Sequence, residues 1–195
     1  MDKAKNKSHF TLFMIISVLI GQLSAFFGLK YALENHNTFE FIYSRLLAKE
    51  WSFEANLKAA TTGAAMVGLV TVLNFNLTFI FRLFTLSPNP LLKTDSELVS
   101  LANTILRNTT EQSFAFLPIY LAWALNVCTE TNSHELFIFP IVWCLARVVF
   151  TFGYIFQYFT GIITFRSIGF LTNVTVTLQL VLKLTGRDLF TLVKF

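Results

Sequence analysis

Residues 136–158 read LFIFPIVWCLARVVFTFGYIFQY, and the single charged side chain in this stretch is Arg147. A helix of about 20 apolar residues crosses the roughly 30 Å hydrocarbon core of a bilayer, so this stretch predicts a transmembrane helix. An arginine inside hydrocarbon costs about 2.5–3.5 kcal/mol on insertion scales. Arg147 is therefore expected to have a structural or functional role that offsets this cost.

Four further runs have the length and low charge of a membrane span. They are residues 10–29, 59–81, 112–129 and 165–184, and the third continues a more polar helix that begins near Ser96. The chain of 195 residues is 54% hydrophobic and 13% charged, whereas soluble domains average about 45–50% apolar and about 25% charged residues. We expect an all-α bundle of five membrane helices, a multi-pass integral membrane protein.

The chain divides into two predicted regions. Residues 1–58 are expected to form the first membrane helix and an interfacial connector that alternates aromatic and charged residues, as in FEF at 39–41. An ordinary wet loop is the alternative for the connector. Residues 59–195 are expected to form a four-helix membrane domain. A cleaved signal peptide is the alternative for the first span, but its apolar part usually has only about 7–15 residues.

Charge and cysteine content exclude two other classes of protein. The 15 Lys and Arg residues give a net charge of +4, but they are scattered rather than clustered as nucleic-acid binding requires. The two cysteines, Cys128 and Cys144, lack the Cys and His spacing of a metal site.

The loop after Thr129 contains acidic residues and neither Lys nor Arg, which predicts a cytoplasmic N-terminus and an external C-terminus.

Polar side chains recur on three of the predicted spans. Positions 104, 107, 108 and 111 fall within about 100° of arc on a helix, so they form one polar stripe. Arg147 lies on the next span, with Tyr154 two turns further on, and Arg166 and Ser167 open the last span. If these groups meet in one cavity, they suit a small zwitterionic or multi-carboxylate ligand, because arginine binds carboxylates through two parallel hydrogen bonds. The alternative is a structural salt-bridge cluster of Arg107, Glu111 and Arg147.

Four motifs carry a family resemblance. They are RNTTE at 107–111 followed by aromatic residues and Pro118, ARVVFTFGY at 146–154, FRSIGF at 165–170, and Arg82 followed by LSP at 86–88. Their order and spacing resemble the MAPEG family, the membrane-associated proteins of eicosanoid and glutathione metabolism. The resemblance covers about two thirds of the chain. It implies a four-helix core, and the additional N-terminal helix resembles the mattrin-type branch.

The resemblance also implies a homotrimer that binds glutathione between neighbouring subunits. The residues implied to hold this cofactor are Arg82, Arg107, Asn108, Glu111, Arg147 and Tyr154. Arg166 and Ser167 are the implied catalytic residues, with Arg166 stabilising a thiolate. Glu111 would bind the ammonium end of glutathione, and Arg82 would reach across the subunit interface.

The function implied is that of a glutathione transferase or peroxidase acting on lipophilic electrophiles or lipid hydroperoxides. Three polar positions of the family pattern are replaced here, by Thr104, Phe150 and Phe170. These replacements favour the alternative, a non-catalytic family member in trafficking or signalling whose cavity holds lipid.

The distribution of charge predicts the same oligomer. Four arginines lie on different predicted helices, at positions 82, 107, 147 and 166, and within the spans only Glu111 is available to balance them. In a lone bundle some of these arginines would face lipid, which is costly. Subunit interfaces would bury them around an anionic ligand, and the small residues Ala60, Ala64 and Gly68 would allow close helix contact. Besides the homotrimer, the expected partners are membrane lipids and a lipophilic small-molecule substrate.

Overall fold

The computed structural model describes residues 2–35, 51–85, 96–161 and 164–192, and within these ranges the chain is helical without strands. The long helices are α1 (Asp2–Glu34), α2 (Phe53–Phe84), α3 (Glu97–Asn126), α4 (Glu135–Thr160) and α5 (Thr164–Leu184). A 3₁₀ turn at Glu130–Asn132 precedes α4, and a short helix α6 (Leu189–Leu192) follows α5. The all-α prediction is confirmed, and each predicted span lies in one helix, the third ending at Asn126 rather than Thr129.

Local signals set the helix boundaries. Ser52 and Ser96 are the N-caps of α2 and α3, and their hydroxyls accept backbone N–H groups at 3.1 and 3.3 Å. These bonds satisfy amide groups that the start of a helix leaves without a partner. α4 ends at Gly161, whose φ of 75° is a left-handed conformation that glycine adopts without steric cost. Most of the predicted connector, residues 36–50, and the LSP motif at 86–88 lie outside the described residues.

Side-chain contacts near the helix ends show that α2, α3 and α4 alternate in direction. Asn56, near the start of α2, donates to the Ala124 carbonyl near the end of α3 at 2.7 Å. Tyr158, near the end of α4, donates to the Glu97 carboxylate at the start of α3 at 3.0 Å. We call the end of the bundle where α3 begins the upper end, and the opposite end the lower end.

The directions of α5 and α1 follow from their contacts. Lys183, at the end of α5, pairs with Glu135, at the start of α4, at 2.8 Å. α1 packs along α5, with Gly21 against its first half and the Phe26 ring 5.1 Å from Phe190 beyond its end. Both α1 and α5 therefore run from the upper end to the lower end, as α3 does.

The aromatic core of the bundle lies toward the lower end, where α3 and α4 pack together. The Phe116 ring stacks on Tyr120 at 5.4 Å and meets Trp143 at 5.5 Å. Trp123 meets Phe139 edge to face at 5.2 Å. All five side chains are buried, and such aromatic pairs add to the stability from area burial alone.

Three helical segments in the described ranges are long and apolar enough to cross a membrane. They are Phe53–Phe84, Glu130–Thr160 and Phe165–Leu184. Large apolar side chains such as Phe75, Phe79 and Phe152 are exposed on these helices, as expected where lipid is the solvent. The chain is a multi-pass integral membrane protein.

α4 and α5 approach each other closely through two glycines. A Cβ atom on Gly153 would collide with the backbone of Arg166, and a Cβ on Gly169 would lie 2.5 Å from the Ala146 carbonyl oxygen. Small residues allow membrane helices to approach to backbone contact. This contact places the start of α5 against the upper half of α4, where the polar residues of both helices lie.

Candidate functional site

Arg147 is the buried charge at the centre of the candidate site. It lies on α4 with 0% of its surface exposed, and its Nη1 donates to the Asn108 side-chain oxygen on α3 at 2.9 Å. Its guanidinium lies 4.3 Å from the centre of the Phe150 ring. No carboxylate within the described residues pairs with it. The positive charge is therefore surrounded by neutral groups.

A second amide holds the same guanidinium from α5. In the amide orientation that satisfies its neighbours, the Asn173 oxygen accepts Arg147 Nε and Trp143 Nε1, each at 2.9 Å, and its nitrogen donates to the Gly169 carbonyl. Arg147 Nη2 is buried and has no hydrogen-bond partner. Because a buried donor without a partner is costly, this atom is a place where a ligand acceptor would be favourable.

A cavity of about 390 Å³ lies beside this pair, between α3, α4 and α5. It is lined by Asn108, Phe150, Tyr154, Arg166, Ser167, Phe170 and Leu171. Four of these residues, Asn108, Tyr154, Arg166 and Ser167, were predicted site residues. The structure therefore brings side chains from the three predicted polar helices to one place, with Arg147 behind Asn108 and Phe150.

Arg166 supplies a second positive charge at the cavity. Its guanidinium lies 4.5 Å from the centre of the Tyr154 ring, and its Nη1 donates to the Gln157 side-chain oxygen at 3.0 Å. Such cation–π contacts are worth about 0.5–2 kcal/mol but do not neutralise a charge. Arg166, like Arg147, has only neutral partners among the residues the structure describes. The site therefore favours an anion.

Two hydrogen bonds between α3 and α4 mark the lower and upper limits of this region of the bundle. The inner one is Arg147–Asn108, and the outer one, at the upper end, is Tyr158–Glu97. The paired residues are eleven positions apart on each helix, a rise of roughly 16 Å at 1.5 Å per residue. Tyr154 lies between the two contacts and lines the cavity.

A comparison with protein-family models matches residues 59–186 to the MAPEG family. The chain belongs to the MAPEG family. Searches of the curated proteins and of the solved structures found no match. The matched residues include α3, α4, α5 and nearly all of α2, which confirms the resemblance on the predicted motifs, while α1 lies outside the match. As a MAPEG member it is a membrane protein of the family associated with glutathione and eicosanoid metabolism.

Four of the predicted MAPEG site residues are not part of the cavity wall: Arg147, which lies behind it, and Arg82, Arg107 and Glu111. Arg107 and Glu111 form an i,i+4 ion pair at 3.9 Å with side chains 76% and 64% exposed. Arg82 is half-buried in the last turn of α2 and does not line the cavity. The salt-bridge alternative is thus found in part, since Arg107 pairs with Glu111 but Arg147 contacts Asn108 instead. The ligand roles of these residues stay predictions.

The departures from the MAPEG pattern change the character of the cavity wall. Phe150 and Phe170 both line the cavity, so two positions that are polar in the pattern are apolar here. The Thr104 hydroxyl donates to the Ser100 carbonyl of its own helix at 2.9 Å. One side of the cavity is therefore suited to an apolar group.

Buried or partly buried polar residues that sequence reasoning missed lie next to the MAPEG site and contact its residues or link its helices. Besides Asn173 and Gln157, Asn74 of α2 donates to Thr109 at 3.2 Å and accepts from Thr151 at 3.2 Å, which links α2, α3 and α4. Each of these residues is an uncharged polar side chain within an apolar span. The signal that identified Arg147, a polar group in hydrocarbon, was present in weaker form at each of them.

Replacing Asn173 by aspartate tests whether Arg147 lacks a counter-charge. Asn173→Asp would place a carboxylate against Arg147 Nε and would remove the amide hydrogen bond to the Gly169 carbonyl. Because compensating a buried charge outweighs one neutral hydrogen bond, we expect the ligand-free protein to gain about 1 kcal/mol, a rise in melting temperature of roughly 2–4 °C. Thermal unfolding in detergent measures it. Asn126→Asp, at an exposed position on α3, is the matched control. A lower melting temperature for Asn173→Asp alone would contradict the assignment of an uncompensated cation.

Proposed function

We propose that the cavity between α3, α4 and α5 binds glutathione. The observation that carries the proposal is a pair of cations with only neutral partners, Arg166 in the cavity wall and Arg147 behind that wall against Asn108 and Phe150. Glutathione has two carboxylates, and arginine is the side chain best suited to carboxylate recognition. The unpartnered Nη2 of Arg147 and the family match support the same ligand.

Bound glutathione would supply a thiol that serves as nucleophile or reductant. Arg166 would favour the thiolate form, because a neighbouring positive charge stabilises the ionised thiol. Gln157 and the Tyr154 ring hold this guanidinium at the cavity wall. Ser167 lines the same wall and would contact the reacting groups.

The second substrate would be lipophilic. Phe150, Phe170 and Leu171 give the cavity an apolar side, and two of the three helices that form it, α4 and α5, are long and apolar enough to cross a membrane. A lipophilic electrophile or a lipid hydroperoxide would reach it from the bilayer. We therefore propose a glutathione transferase or peroxidase activity of MAPEG type.

The proposed assembly is a homotrimer with three equivalent sites at the subunit interfaces. The exposed Arg107 and Glu111 would then contribute to a neighbouring subunit's site. Gly68 packs against nothing among the described residues of its own subunit, since a Cβ added there would have no neighbour within 4 Å. Its small side is therefore available for close contact with a neighbouring subunit. Native mass spectrometry showing a stable monomer that still binds glutathione would contradict the assembly.

Calorimetry with glutathione and its diethyl ester tests the binding proposal. The ester keeps the peptide and the thiol but has no carboxylate, so we expect glutathione to bind the detergent-purified protein and the ester to bind at least tenfold more weakly. S-Methylglutathione, which keeps both carboxylates, should bind like glutathione. Absence of heat at millimolar glutathione would reject the proposal, and equal binding of the ester would reject the role of the arginines.

The apolar wall favours a second candidate function, a non-catalytic protein in trafficking or signalling with lipid in the cavity. Phe150 and Phe170 replace polar positions of the family pattern and line the cavity. Mass spectrometry of small molecules that copurify with the protein separates the two candidates. Glutathione in the extract favours the transferase or peroxidase, and a lipid without glutathione favours the second function.

A further inference from the structure

A second polar cavity lies at the lower end of the bundle, opposite the glutathione site. It has a volume of about 500 Å³ and lies between the end of α3, the 3₁₀ turn and the segment that follows α5. Charged side chains in its wall are Lys183, Arg187 and Asp188, and Trp123 and Asn132 also line it. The proposed glutathione chemistry uses none of these residues.

The hydrogen-bond acceptors in this wall are occupied by the protein itself. The Asn132 side-chain oxygen accepts the Thr129 backbone N–H at 2.7 Å and the Thr129 hydroxyl at 3.2 Å. Asp188 Oδ1 accepts the Phe190 backbone N–H at 2.8 Å, and Oδ2 faces Lys183 Nζ at 3.8 Å. These contacts shape the two turns that border the cavity.

The polar groups of the wall that remain available to a ligand are hydrogen-bond donors. Trp123 is fully buried, and its indole Nε1–H has no partner. With its oxygen occupied, Asn132 offers the N–H bonds of its side-chain amide. Lys183 is paired with Glu135 at 2.8 Å, whereas Arg187 is exposed and makes no ion pair within the described residues. With Lys183 and Arg187 set against Asp188, the charged side chains of the wall sum to +1, and the neutral donors accompany this positive charge.

We propose that this lower cavity binds a phosphate group. A phosphate oxyanion accepts several hydrogen bonds at once and is bound by arginine through two parallel bonds. Arg187 would supply the charge, and Trp123 Nε1 and the Asn132 amide would donate to the remaining oxygens. The cavity borders the end of the Phe165–Leu184 segment, which is long and apolar enough to span a membrane, and the end of such a span is expected near the lipid headgroups, where tryptophan is enriched in membrane proteins. The phosphate comes from a phospholipid headgroup or from a soluble compound, and the two sources separate experimentally.

The experiment uses the full-length protein in two settings. In nanodiscs of phosphatidylcholine with a minor fraction of phosphatidic acid, native mass spectrometry counts the lipids retained by the protein. In detergent without added lipid, thermal unfolding is followed with inorganic phosphate, with chloride at equal ionic strength as the reference. Retention of phosphatidic acid alone identifies a headgroup site, and stabilisation by inorganic phosphate identifies a site that also takes soluble phosphates.

Two variants and a matched control complete the experiment. Arg187→Gln removes the exposed cation, and Trp123→Phe removes the indole N–H but keeps a ring against Phe139. We expect each to lower phosphatidic acid retention or phosphate stabilisation about tenfold. Lys30→Gln, a half-exposed lysine in the last part of α1, removes one charge at the same end and should change neither. Wild-type protein with no preference for phosphate in either setting, or Arg187→Gln indistinguishable from wild type, overturns the proposal.

Discussion

Replacing Arg147 by methionine is expected to reduce glutathione affinity at least tenfold while the bundle stays folded. Only Nη2 of Arg147 is left for a ligand, one hydrogen bond to a charged group is worth about 1.5–3 kcal/mol, and 1.4 kcal/mol is a tenfold change in affinity. Methionine fits an apolar environment, and because Arg147 has no carboxylate partner, its removal leaves no buried charge unpaired. Calorimetry measures the affinity, and thermal unfolding reports whether the fold persists.

Arg187→Met is the matched control for this prediction. It removes an exposed arginine at the lower end of the bundle, far from the proposed glutathione site, and should leave the affinity for glutathione unchanged. Arg147→Lys keeps the charge but cannot reach two acceptors with a rigid planar group, so we expect an intermediate loss. An Arg147→Met protein that melts cooperatively and binds glutathione like wild type would show that this arginine is only structural.

Replacing Arg166 by alanine is expected to lower the catalytic rate by about 10²–10³, with a smaller loss of glutathione affinity. Losing one preorganised group that stabilises developing negative charge has this size of effect in other enzymes. Arg166 lies in the cavity wall above the Tyr154 ring, where it would stabilise a thiolate. The measurements are conjugation of a chlorinated nitroaromatic compound and reduction of a fatty-acid hydroperoxide, each at saturating glutathione.

The outcome for Arg166 also separates the two candidate functions. Arg166→Lys retains a positive charge near the thiol, so we expect part of the activity to remain. Arg187→Ala, at the lower end, should retain full activity. If the wild-type rates equal those of Arg166→Ala for both reactions, the enzymatic proposal fails and the non-catalytic function is favoured.

The helices of this protein were predictable because each depends on a local property of the sequence. Low charge over about 20 residues marks a membrane span whatever it packs against. The run at 136–158 lies within α4, and the polar helix expected near Ser96 begins at Glu97 with Ser96 as its cap. Arg147 was identifiable for the same reason, since a charge in hydrocarbon stands out without knowledge of its neighbours.

The site was only partly predictable, because helical periodicity gives a face but not the direction in which that face points. The stripe at 104, 107, 108 and 111 exists on α3, but Asn108 contacts Arg147 while Arg107 and Glu111 are exposed. Which part of the stripe faces the cavity depends on how α3 is rotated against α4 and α5. That rotation results from packing along the whole length of the helices.

The sequence by itself determined the helices, the family and the presence of a charge at Arg147 within an apolar span, since these follow from composition and from motifs of a few residues. Only the tertiary structure decided how Arg147 is held, because Asn108 and Asn173 lie 39 positions before it and 26 after it in the chain. It also created the lower cavity from the end of α3 and the segment after α5. Contacts between residues far apart in sequence form only when helices pack closely, and here two glycines allow α4 and α5 to meet at backbone distance.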